Sequence, residues 1–329
     1  MPNRPIRIAI TGFGRIGRTI LRLAMSKAGA DIEVALINDV ADLETLAYLF
    51  KYDSVFGPYP GEVAAEGNTL IVDGTAIPFH ARNDISAIDL SGVDLVLECT
   101  GYANTSDVAE RGLRGGAGRV LISGPSPAAD VTVVLGANES TLGDQAVVSN
   151  ASCTTNALAP LLKVLDDAFG IESGQMTTVH CYTGSQPAVD MPRGNQARSR
   201  AAALSMVPTT TSAAQLIGDV LPDLAGKVEA RALRVPTASV SCIDLTLMLS
   251  GNPDIDAVNQ ALTKAVGPVI GLTQDAVVST DMRARPESIV MMPAETSVSK
   301  GGLVRVFGWY DNEWGFSNRM LDVARLMVG

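Results

Sequence analysis

The sequence predicts two folded domains in series: an α/β domain with a parallel sheet covered on both faces, then an α+β domain with a mostly antiparallel sheet. Three observations lead there. The chain has 329 residues, which is roughly two domains at about 150 residues each. Hydrophobic residues make up 47% and charged residues 18%, enough apolar material for large cores and far from a disordered composition. Short β-branched runs alternate with helical patterns in the first half, and longer strands replace them in the second.

The elements of the first half follow in order. Ile6–Ile10 and Ile32–Ile37 read as strands, and between them Ile16, Ile20, Leu21, Leu23 and Ala24 recur at helical spacing, with Gly29 placed to cap that helix. Val93–Glu98, Arg119–Ser123, Val131–Leu135 and Ala146–Ser149 complete the short strands. Near-continuous apolar strands separated by helices are the mark of a parallel sheet. A hairpin-like excursion over Glu62–His80, with GN and DG turn signals, interrupts it.

In the second half the expected strands are Met176–Cys181, Val228–Val235, Val240–Leu249 and Leu303–Tyr310, and the expected helices Cys153–Phe169, Ala213–Leu221, Ile255–Val266 and Asn318–Met327. Tyr182–Arg200 is a polar, Gly/Pro-containing loop, and a loop that long inside a compact domain is usually functional or disordered. The domain boundary is expected at 151/152.

Composition narrows the functional classes. Lys and Arg number 25 against 35 Asp and Glu, a net charge of −10, which argues against a nucleic-acid surface or an anionic membrane as partner. A small anion remains compatible, since backbone N–H groups and a few arginines suffice to bind one phosphate. No leader pattern opens the chain and no long apolar window crosses it, so a cytoplasmic protein is expected. Cys99, Cys153, Cys181 and Cys242 are widely spaced without a CxxC pair, which suggests neither a disulfide scaffold nor a zinc site. His80 and His180 are the two histidines, so any imidazole chemistry must use one of them.

Gly12-Phe13-Gly14-Arg15-Ile16-Gly17 lies between the first strand and the first helix. In that context the glycines of a GxGxxG turn allow the tight bend, the close approach of a pyrophosphate and the close packing of helix on strand, and the helix N-terminus favours the anion. Asp39 ends the second strand, about 20 residues on, where a carboxylate accepts from a ribose 2′-OH and repels a 2′-phosphate. A Rossmann domain binding NAD rather than NADP is therefore expected.

Ser149-Asn150-Ala151-Ser152-Cys153-Thr154-Thr155-Asn156 joins a strand to an apolar helix and places Cys153 at a helix N-terminus, where peptide dipoles favour the thiolate. His180 ends a strand and can take a proton from Cys153 or stabilise the thiolate as an imidazolium. His80 sits among charged residues and reads as solvated, and strand alternation turns Cys181 to the face opposite His180, into the core.

TGFGRIGR (11–18), SNASCTTN (149–156), TTVHCYT (177–183), RAAALSMVPTTT (200–211), RVPT (234–237) and WYDNEWGFSNRM (309–320) together resemble the phosphorylating, NAD-dependent glyceraldehyde-3-phosphate dehydrogenases, in the family's order and over essentially the whole chain. The resemblance implies a Cys153 thiohemiacetal and thioester, with His180 as base and inorganic phosphate as the second substrate. It implies Thr183 and Arg234 for the substrate phosphate, with Asp190 orienting the arginine. For the attacking phosphate it implies Ser152, Thr154, Arg198, Thr211 and Ser212. For NAD it implies Gly12, Gly14, Arg15, Ile16, Gly17, Asp39, Arg82, Thr100 and Ser123. Asn312 would bond the nicotinamide carboxamide and Phe316 would pack near the ring. It further implies that residues 316–329 pack back on the cofactor domain, leaving 152–315 as the catalytic domain, and that the Tyr182–Arg200 loop serves a homotetramer. Erythrose-4-phosphate dehydrogenase, with the same Cys–His chemistry, is the alternative. Thr11 and Ser212 depart from the family's usual Asn and Gly.

Overall fold

The computed structural model describes residues 4–329. Contacts divide the chain into two units, one comprising the chain up to Val133, Glu139–Ala151 and Ser317–Gly329, the other Val134–Asn138 and Ser152–Phe316.

In the first unit nine strands form one sheet, ordered Val131–Thr132, Val147–Ser149, Arg119–Ile122, Leu95–Glu98, Ile6–Thr11, Ile32–Asn38, Thr75–His80, Thr69–Val72 and Val63–Glu66. The pairings from Val131–Thr132 through Thr75–His80 are parallel, and the last two strands form the antiparallel excursion. Ile8, Ala9 and Ile10 are wholly buried, as expected of a strand covered on both faces. The chain leaves Ile6–Thr11 for the neighbour on one side and later returns to the other side. Strand order therefore reverses at the end of Ile6–Thr11, the position where open α/β sheets form a ligand crevice.

The helix after the first strand runs Arg15–Ala24 and ends at Met25. Gly29 is not its cap, contrary to the sequence expectation. It lies in the 3-10 turn Lys27–Gly29, and a Cβ there would sit 2.4 Å from the Ala24 Cα. Close packing selects this glycine, and sequence spacing alone does not distinguish that from a cap. The strand expected over Val131–Leu135 is only Val131–Thr132, because Val133 and Val134 leave the ladder after one more bond, Val133 N–H to the Ser149 carbonyl.

The second unit holds an eight-stranded sheet, ordered Val207–Thr209, Val228–Val235, Ile171–Cys181, Ser241–Leu249, Leu303–Tyr310, Ile289–Met291 and Ile270–Leu272, with Ser297–Val298 also on Leu303–Tyr310. Two pairings are parallel, Ile171–Cys181 with Val228–Val235 and Ile270–Leu272 with Ile289–Met291, and the rest are antiparallel. The helix Cys153–Phe169 has the bounds that the sequence predicts. Its N-cap is Ser152, whose hydroxyl accepts from Thr155 N–H, and Gly170 at φ +71 ends it. Leu158, Leu161, Leu162 and Leu165 are wholly buried along one side, a stripe at the spacing an amphipathic helix requires.

Among the described residues no helix is long and apolar enough to cross a membrane, and all four cysteines are free.

Candidate active site

The nucleotide site is assembled at the C-terminal ends of the parallel strands. A cavity of about 470 Å³ is lined by Thr11, Gly12, Gly14, Asn38, Asp39, Arg82, Glu98, Cys99 and Thr100, among others. Each glycine of the turn has its own reason. Gly12 has φ +88, and a Cβ there would meet the Cys99 carbonyl carbon at 2.6 Å. Gly17 lies against the Gly12 carbonyl oxygen, 2.3 Å from where a Cβ would stand. Gly14 faces open space, so its backbone is the part that a pyrophosphate can approach. Asp39 accepts from Phe13 N–H at 2.6 Å and Ala41 N–H at 2.9 Å, which fixes its carboxylate at the mouth of the glycine turn. These features fit a dinucleotide.

The remaining residues expected here are placed as follows. The Arg15 guanidinium turns to Asp53, 2.5 Å away, and over the Phe56 ring, which leaves its backbone to the ligand. Ile16 is half-buried in the first helical turn. Thr100 donates to the buried Glu98 carboxylate through its N–H and its hydroxyl, and Arg82 is held through its backbone by the Asn38 side chain. Ser123 follows the strand Arg119–Ile122, and its N–H donates to the Glu98 carbonyl at 2.9 Å. Thr11, in place of the usual Asn, accepts from Asn38 Nδ2 at 3.0 Å. His80 ends the strand Thr75–His80, half-buried, with its carbonyl accepting from Asp39 N–H.

The second unit carries its own cavity of about 380 Å³. Ser152, Cys153, Thr154, Thr178, His180, Arg198, Thr210, Thr211, Ser212, Ala232 and Arg234 line it. Cys153 is the first residue of its helix, and His180 is the next-to-last residue of the strand Ile171–Cys181. In the parallel register His180 stands opposite Arg234, so the two strand ends deliver an imidazole and a guanidinium to one place. The Cys153 Sγ is 3.6 Å from His180 Nε2. His180 Nδ1–H donates to the Cys181 carbonyl at 2.7 Å. That bond fixes the tautomer and leaves the Nε2 lone pair facing the sulfur.

Electrostatics favour the neutral pair. Burial, then the nearby Arg234 charge, pushes the His180 imidazole down to about 4. Burial also pushes the Cys153 thiol up, with Arg234 and the helix-start hydrogen bonds opposing it. The helix terminus alone predicted a thiolate, and desolvation outweighs it here. The arrangement suits His180 as a base that takes a proton as chemistry proceeds, rather than as a standing imidazolium.

Arg234 donates to the Thr183 hydroxyl at 3.1 Å and to the Cys181 carbonyl at 3.3 Å. Arg198 donates from Nε to the Thr209 hydroxyl at 2.6 Å and from Nη2 to the Thr210 carbonyl. Among the described residues neither guanidinium meets a carboxylate, so both keep their charge for an anion. Asp190 does not orient Arg234. It pairs with Arg200 at 2.7 Å and accepts from Ala201 N–H, because the loop folds back on itself after Asp190. Thr211 accepts from Ala213 N–H, and Ser212 is the exposed N-cap residue of Ala213–Val220.

Sequence reasoning missed several supports. The Tyr310 hydroxyl bridges Thr154 at 3.0 Å and Thr178 at 2.8 Å, and its ring meets His180 edge-on. Thr178 shares the His180 face of its strand by two-residue alternation, which was readable, whereas Tyr310 arrives from a distant strand. Cys181 is buried as expected, yet its sulfur is 3.8 Å from His180 Nδ1 and 3.1 Å from the Asn312 carboxamide oxygen. Simple alternation fails at this last residue of the strand. Asn312 and Phe316 are both buried.

A glycine-turn nucleotide fold and a separate unit presenting a paired cysteine and histidine beside two arginines define a class: nucleotide-dependent oxidoreductases. Comparison with known proteins makes this specific. The glyceraldehyde 3-phosphate dehydrogenase NAD binding domain matches residues 6–106, and the C-terminal domain of the same family matches residues 152–312. The chain is 47% identical to a glyceraldehyde-3-phosphate dehydrogenase of Xanthobacter flavus, over 98% of each chain. It is 46% identical to the proteins of that name from Cereibacter sphaeroides, over 98% of each, and Pseudomonas aeruginosa, over 97% of each. The chain belongs to the glyceraldehyde-3-phosphate dehydrogenase family, and its N-terminal unit is an NAD-binding Rossmann domain.

Proposed function

We propose that the protein oxidises D-glyceraldehyde 3-phosphate with NAD⁺ and inorganic phosphate to 1,3-bisphosphoglycerate, with Cys153 as nucleophile and His180 as base. The observation that carries the assignment of roles is the 3.6 Å Cys153 Sγ–His180 Nε2 approach, with Nδ1 already committed to the Cys181 carbonyl. His180 Nε2 takes the thiol proton as the sulfur attacks the aldehyde carbon, and the proton passes to the new hydroxyl of the thiohemiacetal. As hydride leaves that carbon, Nε2 takes the hydroxyl proton and the carbon–oxygen double bond of the thioester forms. Phosphate oxygen then attacks the thioester carbonyl and the Cys153 thiolate leaves. NAD⁺, when bound, supplies the hydride acceptor. Splitting the reaction through a covalent adduct replaces one difficult step by two easier ones.

The supporting groups have consistent roles. Cys153 N–H, at the start of its helix, and His180 face the oxygen on which charge develops. Thr183 and Arg234 suit the substrate phosphate. Ser152, Thr154, Arg198, Thr211 and Ser212 suit the attacking phosphate, since guanidinium–oxyanion bonds are charge-assisted. Gly12, Gly14, Gly17 and Asp39 with the backbones of Arg15 and Ile16 would hold the dinucleotide. Arg82, Thr100 and Ser123 stand on its adenosine side, and Asn312 and Phe316 at the nicotinamide. A homotetramer is part of this reading, because the loop region around Tyr182–Arg200 exposes Val189, Met191, Leu204 and Met206, an apolar set that a monomer leaves in water. Free cysteines suit a reducing cytoplasm.

The test compares two aldehydes with and without phosphate. NAD⁺ reduction should proceed with glyceraldehyde 3-phosphate and require phosphate or arsenate. Turnover of erythrose 4-phosphate alone would reassign the substrate. Cys153→Ser should abolish turnover and keep NAD⁺ binding, and appreciable activity in that variant would remove Cys153 from the mechanism.

A further inference from the structure

Cys181 joins three parts of the site. Its carbonyl receives both His180 Nδ1–H and Arg234 Nη1. Its N–H donates to the Ser241 hydroxyl at 3.1 Å. Its thiol lies 3.1 Å from the carboxamide oxygen of Asn312, 131 residues away. Both side chains are buried, Cys181 at 1% and Asn312 at 7% exposure. Burial pushes the Cys181 thiol up to about 12, so the sulfur keeps its proton at any working pH. A protonated thiol is a donor and only a weak acceptor. It therefore selects the oxygen end of the Asn312 carboxamide, and the amide nitrogen faces the other way.

We propose that Cys181 is a positioning residue that locks the Asn312 carboxamide with its oxygen inward and its N–H₂ outward, so that Asn312 offers the cofactor a donor and not an acceptor. This rests on the reading that Asn312 meets the nicotinamide carboxamide. An asparagine without a lock presents either end, since its two ends are nearly the same shape. A locked one recognises the carbonyl of the nicotinamide amide and is indifferent to its NH₂. The Cys181 thiol thus sets which half of the cofactor's carboxamide is read, while the Cys181 carbonyl holds the catalytic base.

The test uses equilibrium binding, by calorimetry on the full chain, of NAD⁺ and of its 3-acetylpyridine analogue, which keeps the carbonyl and lacks the NH₂. The wild-type protein should bind both with similar dissociation constants. In Cys181→Ala, and in the nearly isosteric Cys181→Val should alanine impair folding, Asn312 is free to turn. The analogue should then weaken by roughly twofold relative to NAD⁺, because either end of the turning carboxamide meets a partner on NAD⁺ and only the N–H₂ end meets one on the analogue. Cys181→Ser, which keeps a donor, should restore the wild-type ratio. A purely structural role for Cys181 would move both constants together. An unchanged ratio in the alanine and valine variants, with Asn312→Ala still weakening NAD⁺, overturns the lock. If Asn312→Ala leaves both constants unchanged, the cofactor role of Asn312 falls and the lock falls with it.

Discussion

His180 is surrounded by features that oppose its protonation, namely a low-dielectric pocket and the Arg234 charge, and the Cys181 carbonyl only partly offsets them. The sign of the pH effect follows. Between about 4 and the ordinary 6.5 the unfolded chain carries the proton and the folded chain does not, so stability rises with pH across that window. The contribution is fully present above 6.5, is lost as pH falls through about 4, and amounts to about 3 kcal/mol. Urea unfolding at several pH values should show this slope, and His180→Asn should flatten it, whereas an unchanged slope would mean the imidazole is not desolvated. The same variant should lower kcat by about 10²–10⁴, the usual worth of a positioned base. At this scale the sequence was informative where a residue type is rare or bound to a local pattern. Two histidines made His180 conspicuous, and the strand–SNASCTTN–helix pattern placed Cys153. Tyr310 and the bond from Arg234 to the Cys181 carbonyl were hidden, because each rests on the pairing of strands remote in sequence, and Thr209 was hidden because it meets Arg198 across a loop without a regular period. Asp190 misled for the opposite reason: nearness along the loop to Thr183 gave no hint that Arg200 would claim it.

The helix Cys153–Phe169 was legible at both ends because each end carries a stereochemical signal: the Ser152 hydroxyl accepting from Thr155 N–H, and Gly170 with its positive φ. The short helical segments Ser106–Ala109 and Arg111–Arg114 were not, since four residues cannot display a 3.6-residue period. The glycine turn allows a sharper test at the scale of an element. Gly17→Ala places a methyl 2.3 Å from the Gly12 carbonyl and should destabilise the nucleotide unit by about 1–3 kcal/mol, as overpacking does, visible as a lower melting temperature without ligand. Gly14→Ala meets no atom within 4 Å and should leave the stability within about 0.5 kcal/mol of wild type while weakening NAD⁺ binding. If Gly14→Ala binds NAD⁺ normally, the pyrophosphate does not approach there.

For the molecule as a whole, net charge and ligand charge share a sign. The total of −10 belongs to the whole chain, while the cavity beside Cys153 and His180 sets Arg198, Arg234 and the start of a helix against its hydroxyls. Local groups decide anion binding, which is why composition argued against polyanion partners and left phosphates open. Assembly belongs to this scale too. Sedimentation should find four copies together, and Leu204→Asp with Met206→Asp should yield smaller species, whereas a wild-type monomer at micromolar concentration would contradict the assembly reading. The central claim is that a thioester on Cys153 waits for phosphate. The most direct measurement mixes the enzyme with glyceraldehyde 3-phosphate and NAD⁺ without phosphate, follows NADH in a stopped-flow instrument, and weighs the intact protein. A burst of about one NADH per site, an acyl adduct on Cys153, and its discharge into steady turnover when phosphate is added are the predicted results. Sustained turnover without phosphate, or a burst that survives Cys153→Ser, would contradict it.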